Sequence, residues 1–151
     1  MAMTMNGEYE LSVPPQTVWE KLNDAATLKA CIPGCEQLDK TSDTEFQAVA
    51  TVKIGPVKAK FKGRITLSDL DPPNGYKISG QGDGGVAGFA KGGATVKLAP
   101  KNGGTLLSYN VDAQIGGKLA QLGQRLINGA AKKIADDFFA NFANAVNAKP
   151  A

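Results

Sequence analysis

Beyond residue 116, apolar side chains recur at Leu119, Leu122, Leu126, Ala130, Ile134, Phe138, Phe142 and Val146, every step three or four residues. That spacing predicts one amphipathic helix opened by Gly116-Gly117, with Lys118, Gln121, Arg125, Lys132, Lys133 and Asp136 largely off the apolar stripe. A helix of about 30 residues is about 45 Å long. Such a stripe has to lie against a sheet, and it is long enough to run the diagonal of a seven-stranded one that curls around it.

The preceding residues supply that sheet. Glu8 to Val13 sets Tyr9, Leu11 and Val13 against Glu10 and Ser12, the period-two pattern of a half-buried strand. Pro14-Pro15 ends it. A short helix follows with Val18, Trp19 and Leu22 on one face, and a second, capped by Asp24 and carrying Leu28, stops at Pro33-Gly34. From Cys35 to Ile115, turn signals at Asp43, Gly55-Pro56, Pro72-Pro73-Asn74-Gly75 and Asn102-Gly103-Gly104 divide an antiparallel meander. Phe46, Ala48, Ala50, Val52 and Ile54 share one face of one strand, and Val57, Ala59, Phe61, Gly63, Ile65 and Leu67 share one face of the next. Those faces point inward. The expected fold is α+β: strand, two short helices, six strands and a long C-terminal helix, as a single domain over residues 3–146 with a short tail at 147–151.

Composition narrows the function. The chain of 151 residues is 42% hydrophobic, enough for one buried core. It contains no histidine, which removes imidazole-based triads and the commonest metal ligand. Cys31 and Cys35 stand in a C-x3-C pattern without the further ligands a zinc site needs, leaving two structural thiols or a reversible disulfide. A net charge of +3 is too small for a dedicated nucleic-acid binder. Residues 1–7 lack the basic and apolar regions of a secretory signal, so a cytoplasmic location is expected. The longest uncharged run, 138–148, is too short and too rich in asparagine to span a bilayer.

Charge is unevenly placed: residues 1–45 hold eight acidic and three basic side chains, the remainder six and fourteen. The outer face of the strand after Pro56 reads Lys58, Lys60, Lys62, Arg64, which with Lys53 forms a basic ladder, either a solvated face or a docking surface. Gly80 to Gly85 satisfies a bare G-x-G-x-x-G, but no helix follows, so a dinucleotide site is not expected. The seven glycines between 80 and 93 point to sheet curvature or to a gating loop at a cavity mouth, with Phe89 its aromatic plug.

This order of elements describes a helix-grip fold, and several segments carry a closer likeness. Ala30-Cys-Ile-Pro-Gly-Cys-Glu36, Val52-Lys-Ile-Gly-Pro-Val57 with Phe61-Lys-Gly63, the run from Gly84 to Gly93, and above all Gly116-Gly-Lys-Leu-Ala-Gln-Leu-Gly-Gln-Arg-Leu-Ile127 resemble the carbon monoxide dehydrogenase G-subunit family of the START-like (pollen-allergen-like) superfamily, over about residues 3–142. The resemblance implies a non-catalytic accessory protein of an aerobic, molybdenum-containing carbon monoxide dehydrogenase. It also implies a quinone (menaquinone or ubiquinone) carried in an apolar cavity as electron acceptor, no tightly bound cofactor or metal, and peripheral contact with the inner face of the cell membrane.

The residues themselves leave the interior open between a filled core and a ligand cavity. Small wall positions at Ala48, Ala50, Ala59, Gly63, Gly80 and Gly82 favour the cavity, because a collapsed core would need bulk there. Its expected lining is Phe46, Phe61, Phe89, Tyr109, Leu119, Leu122, Leu126 and Phe138; the expected partner or membrane surface is Lys53, Lys58, Lys60, Lys62 and Arg64. A START-like cyclase or hydrolase and a ligand-free docking adaptor are the alternatives. An enzyme would need titratable groups directed inward, and of these only Tyr9, Tyr76 and Tyr109 remain.

Overall fold

A computed structural model describes residues 2–147. Strand β1 (Ala2–Leu11) leads into helices α1 (Pro15–Leu22) and α2 (Ala25–Cys31). Strands β2 (Cys35–Ser42), β3 (Glu45–Ile54), β4 (Val57–Asp71), β5 (Gly75–Asp83), β6 (Phe89–Lys101) and β7 (Gly104–Gly116) follow, and helix α3 (Gln124–Asn147) ends the described chain. All seven strands form one antiparallel sheet in the order β1-β7-β6-β5-β4-β3-β2, so the first strand closes onto the last. The expected tail at 147–151 falls almost wholly outside the described residues.

Register follows the apolar alternation. Phe46, Ala48, Ala50, Val52 and Ile54 face Ile65, Gly63, Phe61, Ala59 and Val57 across the β3–β4 pair. The same inner row runs on through Ile78, Gly80 and Gly82, then Ala90, Gly92 and Ala94, then Val111, Ala113 and Ile115. β1 starts six residues before the expected Glu8, because Met3, Met5 and Gly7 keep the inward phase and pair with Ala113, Val111 and Tyr109. Asn6-Gly7 therefore lies within a strand.

Two core clusters result. The larger gathers Val18 and Leu22 of α1, Cys31 of α2, Phe46, Leu67, Tyr76 and Leu107 of the sheet, and Phe139, Phe142 and Val146 of α3. The smaller joins Met3, Ile54, Leu119 and Ile127. A fully buried side chain of this size contributes roughly 1.5–3 kcal/mol. Polar ties reinforce the packing: Asn141 Nδ2 donates to the Cys31 carbonyl at 3.0 Å, and Thr105 Oγ1 to the Val13 carbonyl at 2.7 Å. Asp24 holds the N-cap position of α2, its carboxylate accepting the Thr27 hydroxyl at 2.5 Å.

The C-terminal stripe is not one helix. Residues 117–122 wind as a 3-10 helix, Gly123 adopts φ +94, and the α-helix starts only at Gln124. The 24 residues of α3 span about 36 Å rather than 45 Å. Gly123 has no Cβ to oppose that left-handed backbone, so the chain changes direction there and the stripe changes phase. The buried line along α3 becomes Ile127, Phe139, Phe142 and Val146.

Candidate functional site

Between the concave inner face of the sheet and α3 lies a cavity of about 430 Å³. The sheet contributes Phe46, Ile65, Leu67, Tyr76, Ile78, Ala94, Val96, Leu107, Tyr109 and Val111; α3 contributes Ala131, Ile134, Ala135, Phe138 and Phe139; α1, α2 and Pro33 close one end with Leu22, Leu28 and Ile32. The volume falls in the ordinary range of small-molecule sites. A second, more open recess of about 360 Å³ shares Ile65, Ile78, Ala94 and Val111 with the first and continues along the same inner face. Its floor is Ala48, Ala50, Gly63, Gly80, Gly82, Ala90 and Gly92, with Phe61 at the side. Of the small wall positions read from the sequence, only Ala59 is elsewhere, buried at 5% exposure.

The expected cavity residues divide. Phe46, Tyr109 and Phe138 line the cavity under α3, and Phe61 lines the recess. Leu119 is buried in the smaller cluster with Met3, Ile54 and Ile127, and Leu122 packs against that cluster, neither one at the cavity. Leu126 is 40% exposed and sits by Gly55, where an added Cβ would come within 2.9 Å of Leu126 Cδ2. Leu119 and Leu122 precede the turn at Gly123, so counting through it puts them out of phase with α3, whereas Leu126 lies on α3 itself and leaves its inner face because each step of four residues overshoots a turn by about 40°.

Phe89 is a further correction. It pairs with Asp83 and Gly116, both on the outer face, and is 46% exposed. Its ring lies where a Cβ on Gly116 would be, so it rests on bare backbone outside the sheet and cannot plug the inner cavity. The glycines around it serve close approach: Gly88 and Gly117 cross where a Cβ on either would strike backbone. The alternation Ala90, Gly92, Ala94, Val96, Leu98, all inward, already sets Phe89 on the other face.

At the edge where β1 meets α3, three rings stack. Tyr9 lies 4.3 Å and Tyr109 5.1 Å from the Phe139 centroid. The Tyr9 hydroxyl donates to Asp136 Oδ1 at 2.9 Å, and Lys132 Nζ lies 2.7 Å from Asp136 Oδ2. Burial, then the bond to Asp136, pushes the Tyr9 pKa up to about 12. Lys132 first and Tyr9 second hold the Asp136 carboxyl below its ordinary range. Sequence reasoning missed this latch, since 127 residues separate its two ends.

The basic ladder is on the outer face as expected, with Lys53 beside Lys58 and Lys60, Lys62 and Arg64 opposite Thr51, Val49 and Gln47. It is not free of acid, however: Lys60 Nζ pairs with Glu36 Oε1 at 3.2 Å. Hydrogen bonding from Thr51, then from Lys60, holds the Glu36 carboxyl below its ordinary range. Lys62 and Arg64 border a groove of about 1100 Å³ that also takes in Lys91, Gln47, Gln81, Phe89 and the carboxylates of Asp39 and Asp83. Both cysteines are free, Cys31 buried and Cys35 partly so, and burial pushes both thiols up. Among the described residues, no group of three or more acidic or cysteine side chains could hold a metal ion, and no helix is long and apolar enough to cross a membrane.

Comparison with known proteins adds sequence and fold. Residues 7–147 match the CoxG family model, that of the carbon monoxide dehydrogenase G subunit. A conserved protein from Geobacillus kaustophilus is 34% identical, with 95% of each chain covered and a TM-score of 0.89. Ara h 8.0201, at 13% identity and a TM-score of 0.68 with 97% and 98% coverage, shares the fold alone. The same holds for the Zhui aromatase/cyclase from Streptomyces sp. R1128, at 11% identity, a TM-score of 0.70, and 97% and 94% coverage. No curated protein matches the chain.

Proposed function

The chain belongs to the CoxG family of carbon monoxide dehydrogenase, and from that premise we propose that it is a non-catalytic accessory protein of an aerobic carbon monoxide dehydrogenase. In this reading it carries a quinone, menaquinone or ubiquinone, in the inner cavity and links the enzyme to the electron-acceptor pool of the membrane. The observation that carries the reading is a cavity of about 430 Å³ in which, among the described residues, only Tyr76 and Tyr109 bring polar side-chain atoms. Dry apolar surface left uncovered forfeits packing and excludes water, so it favours an apolar guest. The quinone ring occupies the cavity under α3, and its first isoprene units run over the glycine-rich recess, where missing side chains leave a channel.

The non-catalytic part rests on the lining. Among the described residues no carboxylate or thiol lines the cavity, and the two phenols have no paired base there. Contact with the dehydrogenase or with anionic lipid falls to the outer face of β4, where Lys58, Lys62 and Arg64 project from a strand without acidic residues before Ser68. Native mass spectrometry of the gently purified protein, followed by organic extraction, tests the reading. One quinone per chain is the expected result. An empty protein that still binds the dehydrogenase would replace the carrier with a docking adaptor.

A further inference from the structure

The two phenols of the cavity are not equivalent. Tyr109 directs its hydroxyl toward β1, where an added Cβ on Gly7 would lie 2.8 Å from it, and toward the Tyr9 phenol that is itself bonded to Asp136. Its polar end belongs to that edge. Tyr76 lies two strands away in the same lateral row, Tyr76 opposite Val96 and Val96 opposite Tyr109. Its ring stands edge-on to Trp19 at 5.2 Å, and only 5% of the residue is exposed.

Among the described residues the Tyr76 hydroxyl has no hydrogen-bond partner, yet no buried side-chain oxygen or nitrogen is both sealed off and unpaired. Its oxygen is therefore not sealed off, and the space this side chain lines is the cavity. An unpaired phenol held out of water costs about 1–3 kcal/mol, which a guest bearing an acceptor offsets. Burial also pushes the Tyr76 pKa up, so the group stays a neutral donor across the physiological range. A neutral phenol in an apolar wall offers its hydroxyl proton to a neutral acceptor.

We infer that Tyr76 is the polar anchor of the cavity, donating its hydroxyl proton in a hydrogen bond to a carbonyl oxygen at one end of an otherwise apolar guest. This rests on the reading of the cavity as a ligand site. It adds the orientation: the carbonyl end lies toward α1 and Trp19, and the hydrocarbon end toward the open recess. It also adds a selection rule, since a hydrocarbon of the same shape leaves the hydroxyl unpaired.

The test compares 2,3-dimethyl-1,4-naphthoquinone with 2,3-dimethylnaphthalene on the whole chain, wild type and Tyr76→Phe. Both ring positions beside the carbonyls of this quinone are blocked, so neither cysteine can add to it. The expected result is a loss of about three- to tenfold in affinity for the quinone in Tyr76→Phe, with no loss for the hydrocarbon. In the wild type labelled at tyrosine Cζ, the Tyr76 carbon resonance should shift with the quinone and not with the hydrocarbon. Equal quinone affinity in both proteins with an unmoved resonance overturns the anchor and leaves the cavity reading standing. Failure of the wild type to bind either probe overturns the cavity reading and the anchor with it.

Discussion

Tyr9 holds its proton more firmly than a free phenol because part of its ring is out of water and its hydroxyl is spent on Asp136. Unfolding returns it to its ordinary value of 10.0 from about 12. A pKa raised in the folded state favours folding fully below pH 10, and that contribution is lost as pH rises from 10 to 12, where only the unfolded chain ionises. Tyr9→Phe has no proton to lose. We therefore expect wild type to be the more stable at pH 8 and the gap to shrink between pH 10 and 12, read as urea midpoints of the two proteins at each pH. A gap that stays constant would mean that the latch to α3 contributes nothing through this proton. The phenol of Tyr9 was visible in the sequence and its partner was not, since nothing local couples residue 9 to residue 136. Phe89 shows the opposite case: the parity that places it outside was legible, and its size drew it into the interior reading instead.

Among the elements, the strands were the most legible, because one buried face imposes a period of two that a shift of one residue would invert. β3 and β4 pair in the register that their alanines and phenylalanines dictate. The C-terminal helix was less legible. Leu119 and Leu122 fit a helical stripe by count, and one glycine with φ +94 takes them out of it, while Leu126 on α3 drifts off the inner face over successive steps of four. The outer face of β4 was legible in charge but not in partners, since Glu36 reaches Lys60 from across the sheet. That pair is exposed and contributes little to stability, but it leaves Lys62 and Arg64 as the β4 cations facing the groove, beside Lys91 of β6. If this face steers the protein to an acidic surface on the dehydrogenase, Lys62→Glu with Arg64→Glu slows association about tenfold or more at low salt and flattens its dependence on ionic strength. Stopped-flow association between about 20 and about 300 mM salt reads both quantities. Unchanged rates across the series would move the interface elsewhere.

For the whole molecule, the issue is why its two cores do not merge. The larger cluster is gathered by α1, α2 and the second half of α3, and the smaller by the 3-10 turn and the start of α3. Across the middle of the inner face the sheet presents Ala48, Ala50, Gly63, Gly80, Gly82 and Gly92, so α3 bridges a floor too low to touch it. This much of the site could be read from the sequence as smallness at inward positions. The depth of the space could not, because it depends on how far α3 stands from the sheet. Ala94 sits at the junction, half-buried and lining both the cavity under α3 and the recess. Two opposite outcomes attend Ala94→Leu. In a filled core the added carbons overpack and cost about 1–3 kcal/mol. In an open cavity they cover apolar surface without displacing anything, and the empty protein gains about 1–2 kcal/mol at roughly 0.8 kcal/mol for each added carbon, less the lost rotamer freedom. The same carbons take space from the guest. A ligand present at 100 times its Kd stabilises wild type by about 2.7 kcal/mol, and in Ala94→Leu most of that increment should vanish. Thermal unfolding of both proteins, with and without 2,3-dimethyl-1,4-naphthoquinone, gives the four midpoints needed: the variant should melt higher than wild type when empty and lower when both are offered the quinone. A variant that melts lower in both conditions would identify a packed interior, and the space between helix and sheet would then be part of the core.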